Sequence, residues 1–208
     1  MTRRPECPDL LTTGLAALAR PGPSGLLGRI AASWVRVPGP VGDLYVASTD
    51  QGVAYVRTSD AVHDDEGEFA TQFHHRFTRP LVAGREPPDG VLSALRDGSA
   101  ERLRFDLGRL SAFEREVLLA VLTIPRGQVR PYDWIAHRVG HSTTVHSIDI
   151  VLTHNPVPVL IPCHRVIHED GTPGDYVFGQ PMKRTLLAAE GAHLDAAPAT
   201  HRTPVEDG

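Results

Sequence analysis

Asn155-Pro156-Val157-Pro158-Val159-Leu160-Ile161-Pro162-Cys163-His164-Arg165-Val166-Ile167 is the stretch on which the reading of this chain turns. An apolar run punctuated by prolines is bound for the interior, and Pro162 prevents a regular strand from continuing through Cys163. A cysteine in such a place is as a rule an inert core residue. Here a proton acceptor, His164, and a cation, Arg165, stand directly beside it, and a core cysteine has no use for either. These surroundings are expected to favour a thiolate, the nucleophilic form of cysteine. Metal binding is the rival reading, but the other cysteine, Cys7, is far off in sequence, and His164 cannot easily share one ion with its neighbour Cys163. No metal site and no structural disulfide are expected.

Working outward, Ser111-Ala112-Phe113-Glu114 has the capping-box pattern that opens a helix, and Val117, Leu118, Val121 and Leu122 recur at helical spacing until Pro125-Arg126-Gly127. Two short helical segments follow, Tyr132 to Val139 and Thr143 to Thr153, separated by Gly140-His141-Ser142. This is a helix-turn-helix arrangement, in which the second helix normally meets nucleic acid, although most short helix pairs bind nothing. A mainly helical C-terminal domain is therefore expected over residues 107–191.

Earlier in the chain, Leu44-Tyr45-Val46-Ala47 and Val53-Ala54-Tyr55-Val56 flank the polar turn Thr49-Asp50-Gln51-Gly52, which predicts a β-hairpin. After the acidic stretch Asp64 to Glu68 a helix is expected from Phe69 to Phe77, then Pro- and Gly-rich sequence through Gly90 that reads as a loose connector or a small subdomain. Residues 35–106 thus read as a small N-terminal β-sheet domain, and the fold class as α+β. Leu10 to Ala19 and Leu26 to Trp34 suggest an N-terminal helical extension over 1–34, broken at Pro21-Gly22-Pro23-Ser24-Gly25. Residues 192–208 read as a disordered tail.

The chain offers no run of about 18 apolar residues to span a membrane, and Met1 to Glu6 is not followed by a signal-type apolar segment. A cytoplasmic protein without membrane partners is expected. The net charge of -4 means that any affinity for nucleic acid has to come from a local patch.

Ile161-Pro162-Cys163-His164-Arg165-Val166 resembles the PCHRV signature of the O6-alkylguanine-DNA alkyltransferases, the methylated-DNA-protein-cysteine S-methyltransferases. The resemblance extends through Ile124-Pro125-Arg126-Gly127-Gln128-Val129, Tyr132, Asn155-Pro156, Gly171, Gly174, Tyr176, Gly179, Lys183, Leu186-Leu187 and Glu190-Gly191, in the family's order and spacing. It covers about Leu107 to Gly191, and the Leu44 to Val56 hairpin resembles part of the family's N-terminal domain.

The resemblance implies that Cys163 attacks the alkyl carbon of O6-alkylguanine in double-stranded DNA and keeps the alkyl group, each molecule acting once, as a monomer and without a cofactor. It implies that His164 withdraws the thiol proton through a water while Glu190 orients the imidazole. Asn155 would brace the turn, Tyr132 would protonate or hydrogen-bond the leaving guanine, and Tyr176 would wall the pocket and stack on the extruded base. Pro162, Val166, Val177 and Phe178 complete the expected pocket. Ser142, Thr143, Thr144, His146, Ser147, Asp149 and Arg165 form the expected DNA-contacting set.

The second helix departs from the family pattern. Val145-His146-Ser147-Ile148-Asp149 stands where relatives carry an Ala-Arg-Ala-Val-Gly type sequence, so His146 replaces the arginine that fills the gap left by the flipped nucleotide, and Asp149 replaces a glycine. Histidine is mostly neutral at neutral pH, whereas arginine is always charged and reaches farther. On a helix laid against phosphates, Asp149 is expected to repel DNA. Between Arg138 and Arg165 there is no lysine or arginine, leaving His141, His146 and His154 as the positive candidates. Val177 and Phe178 also stand where relatives often carry serine and glycine, which makes the pocket more apolar. Two readings therefore stay open, repair of O6-alkylguanine in DNA and a specialised paralogue whose cysteine takes a group from a small-molecule alkyl or electrophile donor; a third, a catalytically silent binder of alkylated DNA, is weaker because such a protein has no need of Cys163.

Overall fold

The computed structural model describes residues 30–140 and 145–192. Its first unit is a four-stranded sheet: β1 (Ala32–Gly39), β2 (Gly42–Thr49), β3 (Gly52–Thr58) and β4 (Leu81–Ala83), in the order β3-β2-β1-β4. β2 and β3 form the antiparallel hairpin expected from the sequence, with Thr49 opposite Gly52. Gly52 sits at φ +138°, and a Cβ there would collide with the Arg104 carbonyl, so this position accepts only glycine. β4 runs parallel to β1 and returns the chain after the helix α1 (Glu66–Arg76).

Two expectations are corrected here. The amphipathic stretch Leu26 to Trp34 does not end as helix: Ala32, Ser33 and Trp34 already belong to β1, paired with β2 through Ser33–Ser48 and Trp34–Ala47. Alternation of Val35 and Val37 with Trp34 and Arg36 is the strand signal, and hydrogen bonding to β2 realises it. The loose connector through Gly90 contains β4 (Leu81–Ala83), paired with β1, and is followed by a short helix, α2 (Val91–Asp97), whose Val91 and Ala94 are buried. Most of the proposed extension, residues 1–29, and the tail from 193 lie outside the described residues, as does Cys7.

The sheet separates two cores. Tyr45, Ala47, Ala54 and Tyr55 pack with Phe69 and Phe73 of α1, an aromatic cluster in which the Tyr45 and Phe69 rings lie 5.2 Å apart. Val35, Val37, Leu44, Val46, Val53 and Val56 belong to the other core, shared with Val117, Leu118, Ile135, Ile148, Ile161 and Cys163. Alternation along β1 and β2 thus lets one small sheet build a hydrophobic centre on each face.

The helical part follows: α3 (Ala112–Leu122), α4 (Tyr132–Val139), α5 (Val145–Thr153) and α6 (Gly179–Ala189). α3 starts where the sequence says, with the Ser111 side chain accepting from the Glu114 N–H and the Glu114 carboxylate accepting from the Ser111 N–H. α4 and α5 pack together and on α3. The residues joining them, 141–144, lie outside the described residues, and with them Ser142, Thr143 and Thr144.

Candidate active site

Cys163 begins a single 3-10 turn, Cys163–Arg165, with Pro162 closing the stretch before it. Three attachments hold this turn. Val56 of β3 donates its N–H to the Pro156 carbonyl (2.9 Å), fastening the loop to the sheet. Asn155, fully buried, donates through Nδ2 to the Ile161 carbonyl (3.1 Å) and accepts at Oδ1 from the Val157 N–H (2.9 Å). β5 (Arg130–Pro131) pairs in parallel with β6 (Val166–Ile167) just beyond the turn. Val159, a β-branched residue, is held at φ +72° in the middle of the loop, a strained conformation that persists only because both ends are fixed.

The Asn155 amide also reaches Sγ of Cys163 directly (3.2 Å), beyond the bracing role read from the sequence. Cys163 is 1% exposed. Burial pushes its thiol up to about 11, against the Asn155 hydrogen bond and the nearby Lys183 cation, which both favour the thiolate. The expected thiolate is thereby corrected: at neutral pH the resting group is a thiol, because apolar burial outweighs the polar neighbours.

His164 is buried, and its Nε2 lies 3.1 Å from Oε1 of Glu190. Burial would raise the Glu190 carboxyl, but hydrogen bonds from His164 and Arg165 and their charges hold it down at about 2. The carboxylate is therefore ionised, and Nε2 carries the hydrogen that it accepts. Burial lowers the His164 pKa more than Glu190 raises it, so the ring is neutral and Nδ1 carries the free lone pair. Nδ1 is buried and makes no hydrogen bond among the described residues.

Arg165 is only 3% exposed, which removes it from the DNA-contacting set. Its guanidinium clamps Glu190 at both oxygens, Nε to Oε2 (2.8 Å) and Nη2 to Oε1 (2.7 Å), and donates to the carbonyls of Ile124 (2.6 Å) and Gly98 (2.7 Å). Its donors are satisfied internally, and the cation serves to fix the carboxylate that orients His164.

Tyr132, the first residue of α4, is buried and donates its hydroxyl to Oδ1 of Asp149 on α5 (2.8 Å). Burial first, then this hydrogen bond, pushes its phenol far above the usual range. The expectation that Asp149 presents its carboxylate to DNA is corrected by this contact: the side chain is half-buried and turned toward Tyr132. His146 and Val145 are exposed on the same helix and Ser147 half-exposed. Tyr176 is buried edge-on to His164, with ring centroids 6.2 Å apart, and Phe178 stands edge-on to Tyr176 at 5.7 Å. Val177 and Phe178 are half-buried, whereas Pro162 and Val166 are buried, Val166 within the core shared with Cys163.

Two participants were missed as such. Lys183 is fully buried and donates to the Asp175 carbonyl (3.2 Å); burial brings it down to about 8 against the pull of Cys163, Asp149 and Asp175. Its signal was available, because Lys183, Leu186 and Leu187 of α6 and Glu190, its cap, fall at i, i+3, i+4 and i+7. Gly174, at φ +65°, lies so close to Tyr132 that a Cβ would stand 2.6 Å from the hydroxyl.

Fold and site together define an α+β protein that keeps one thiol buried beside a neutral, carboxylate-oriented imidazole. Residues 112–192 match the family described as 6-O-methylguanine DNA methyltransferase, DNA binding domain. A methylated-DNA-protein-cysteine methyltransferase of Mycolicibacterium paratuberculosis is 32% identical over 164 residues, covering 77% of this chain and 93% of that protein. One from Methanothermobacter thermautotrophicus is 42% identical over 90 residues, 43% of this chain and 50% of that protein. The crystal structure of Mycobacterium tuberculosis O6-methylguanine methyltransferase superposes with TM-score 0.62 at 26% identity, over 81% of this chain and 96% of that one. The structure of Mycobacterium tuberculosis OGT in complex with DNA gives 0.60 at 26%, over 78% and 96%. The chain belongs to the methylated-DNA-protein-cysteine methyltransferase family.

Proposed function

We propose that this protein repairs DNA by taking the alkyl group of O6-alkylguanine onto Sγ of Cys163, once per molecule. The observation that carries the proposal is the neutral His164, with Nε2–H given to a Glu190 carboxylate that Arg165 clamps and Nδ1 left as a base in the turn that bears the thiol. In the reaction a bond forms between Sγ and the alkyl carbon as the bond from that carbon to O6 breaks. The thiol proton passes through a water to Nδ1 of His164, and the electron pair of the broken bond stays with the guanine, which leaves as it takes a proton. Asn155 holds Sγ on its line of attack, Tyr132 faces the leaving base, and Tyr176 walls the pocket. Family membership and the DNA complex of a relative support duplex DNA as the partner.

A burial of 99% at Cys163 requires the base to be brought out of its stack and to open the pocket. The paralogue acting on a small molecule loses half of its motive, because Asp149 faces inward. Intact mass spectrometry after incubation with a duplex containing O6-methylguanine tests the proposal. A mass gain of one methylene, absent from Cys163→Ala, is expected; absence of any gain while the thiol still reacts with a small electrophile overturns it.

A further inference from the structure

Asp149 stands where the family pattern has glycine, and its carboxylate takes the hydrogen of the Tyr132 hydroxyl at 2.8 Å. Lys183, buried and donating to the Asp175 carbonyl, is a cation that feels the charge of Asp149. A phenol bound to a carboxylate shows the rest of the pocket its lone pairs rather than its hydrogen. To serve a leaving guanine, Tyr132 has to exchange a charged acceptor for a neutral ring nitrogen, and charge-assisted hydrogen bonds are the stronger kind. With the leaving base facing Tyr132, as the repair reading has it, the Asp149 carboxylate would lie one hydroxyl away from the negative charge that develops there, and like charges repel.

We propose that Asp149 withholds the Tyr132 hydrogen from the substrate base and so slows alkyl transfer from guanine. This inference rests on the repair reading, with Tyr132 facing the leaving base. Asp149 acts through Tyr132 and is a positioning residue. Its effect falls on the transfer step and depends on the phenol hydroxyl, whereas simple repulsion of phosphates would fall on duplex affinity and ignore that hydroxyl.

The test is single-turnover methyl transfer from an O6-methylguanine duplex, with the limiting rate and the duplex affinity measured separately, for the wild type, Asp149→Ala, Tyr132→Phe and the double variant. Alanine favours helix, so α5 is kept; Asp149→Asn, which keeps a neutral acceptor, serves as the second variant. We expect the limiting rate of Asp149→Ala to rise about tenfold, part of the ~10²–10³-fold that one hydrogen-bond donor controls at an active site, with Asp149→Asn between it and the wild type. The rise should vanish in the Tyr132→Phe background. An unchanged or lower limiting rate in both Asp149 variants overturns the inference, as does a rise that survives in Tyr132→Phe. Failure of every variant and of the wild type to methylate Cys163 overturns the repair reading and this inference with it; a wild type that reacts while the Asp149 variants gain nothing overturns this inference alone.

Discussion

At neutral pH a thiol with its pKa at about 11 is ionised in on the order of one molecule in ten thousand, so the reaction needs a base at hand. His164→Ala removes it. The variant is expected to lose transfer at pH 7 by 10²-fold or more, within the ~10²–10⁴ range for general base catalysis. Its residual rate should climb about tenfold per pH unit toward pH 10, following the thiolate, while the wild type stays nearly flat; a flat profile for the variant would sink the role of His164. Glu190 makes a second test. Its folded pKa of about 2 lies below the ordinary 4.5, so it contributes stability in full above about pH 4.5 and loses it as the pH falls toward 2. Glu190→Gln, which leaves the buried Arg165 without its anion, is expected to cost ~3 kcal/mol and to flatten the pH dependence in that window, as read by denaturant unfolding between pH 6 and pH 2.5. The sequence already contained Cys163, His164, Asn155 and Glu190 as an ordered set. It could not disclose the direction in which Arg165 and Asp149 turn, because a charge beside a site reads the same whether it faces solvent or a buried partner, and only the packing of α4, α5 and α6 decides between them.

Among the elements, those with their own local chemistry were legible. The capping box at Ser111 fixed the start of α3, the run Tyr132 to Val139 matches α4, and the Thr49 to Gly52 turn fixed the hairpin. β1 and α2 escaped because their signals are short: β1 depends on pairing with β2, and α2 has seven residues between glycine caps, with its two buried residues facing a core that the rest of the chain supplies. Ser111→Ala removes one acceptor at an orphan helix N-terminus and should cost ~1 kcal/mol, a fall of roughly 2–4 °C in the thermal midpoint for a chain of this size. Gly174→Ala tests the loop that faces Tyr132. The new methyl group would have to displace the hydroxyl from 2.6 Å at a backbone angle that disfavours alanine. Transfer is expected to fall with little change in duplex affinity, and an unaltered rate would show that the loop does not position Tyr132.

On the scale of the whole molecule, a protein of net charge -4 has to meet a polyanion through one local surface. Among the described residues of α5, His146 and Val145 face outward while Asp149 faces inward, and the segment between Arg138 and Arg165 supplies no fixed cation. The contribution of that surface to the salt dependence of DNA binding is accordingly small. His146→Arg adds one permanent charge at an exposed position where the family pattern places arginine. It is expected to tighten duplex binding at low salt and to steepen the slope of log affinity against log salt by about one unit of charge, an advantage that shrinks as salt rises. Asp149→Ala removes a negative charge from the same helix, yet its carboxylate is turned toward Tyr132, so it should leave that slope nearly unchanged. Fluorescence anisotropy with a labelled duplex at three or more salt concentrations separates the two substitutions: a steeper slope for His146→Arg alone identifies the outer face of α5 as the surface that meets phosphate, whereas no change for His146→Arg would place the contact elsewhere on the molecule.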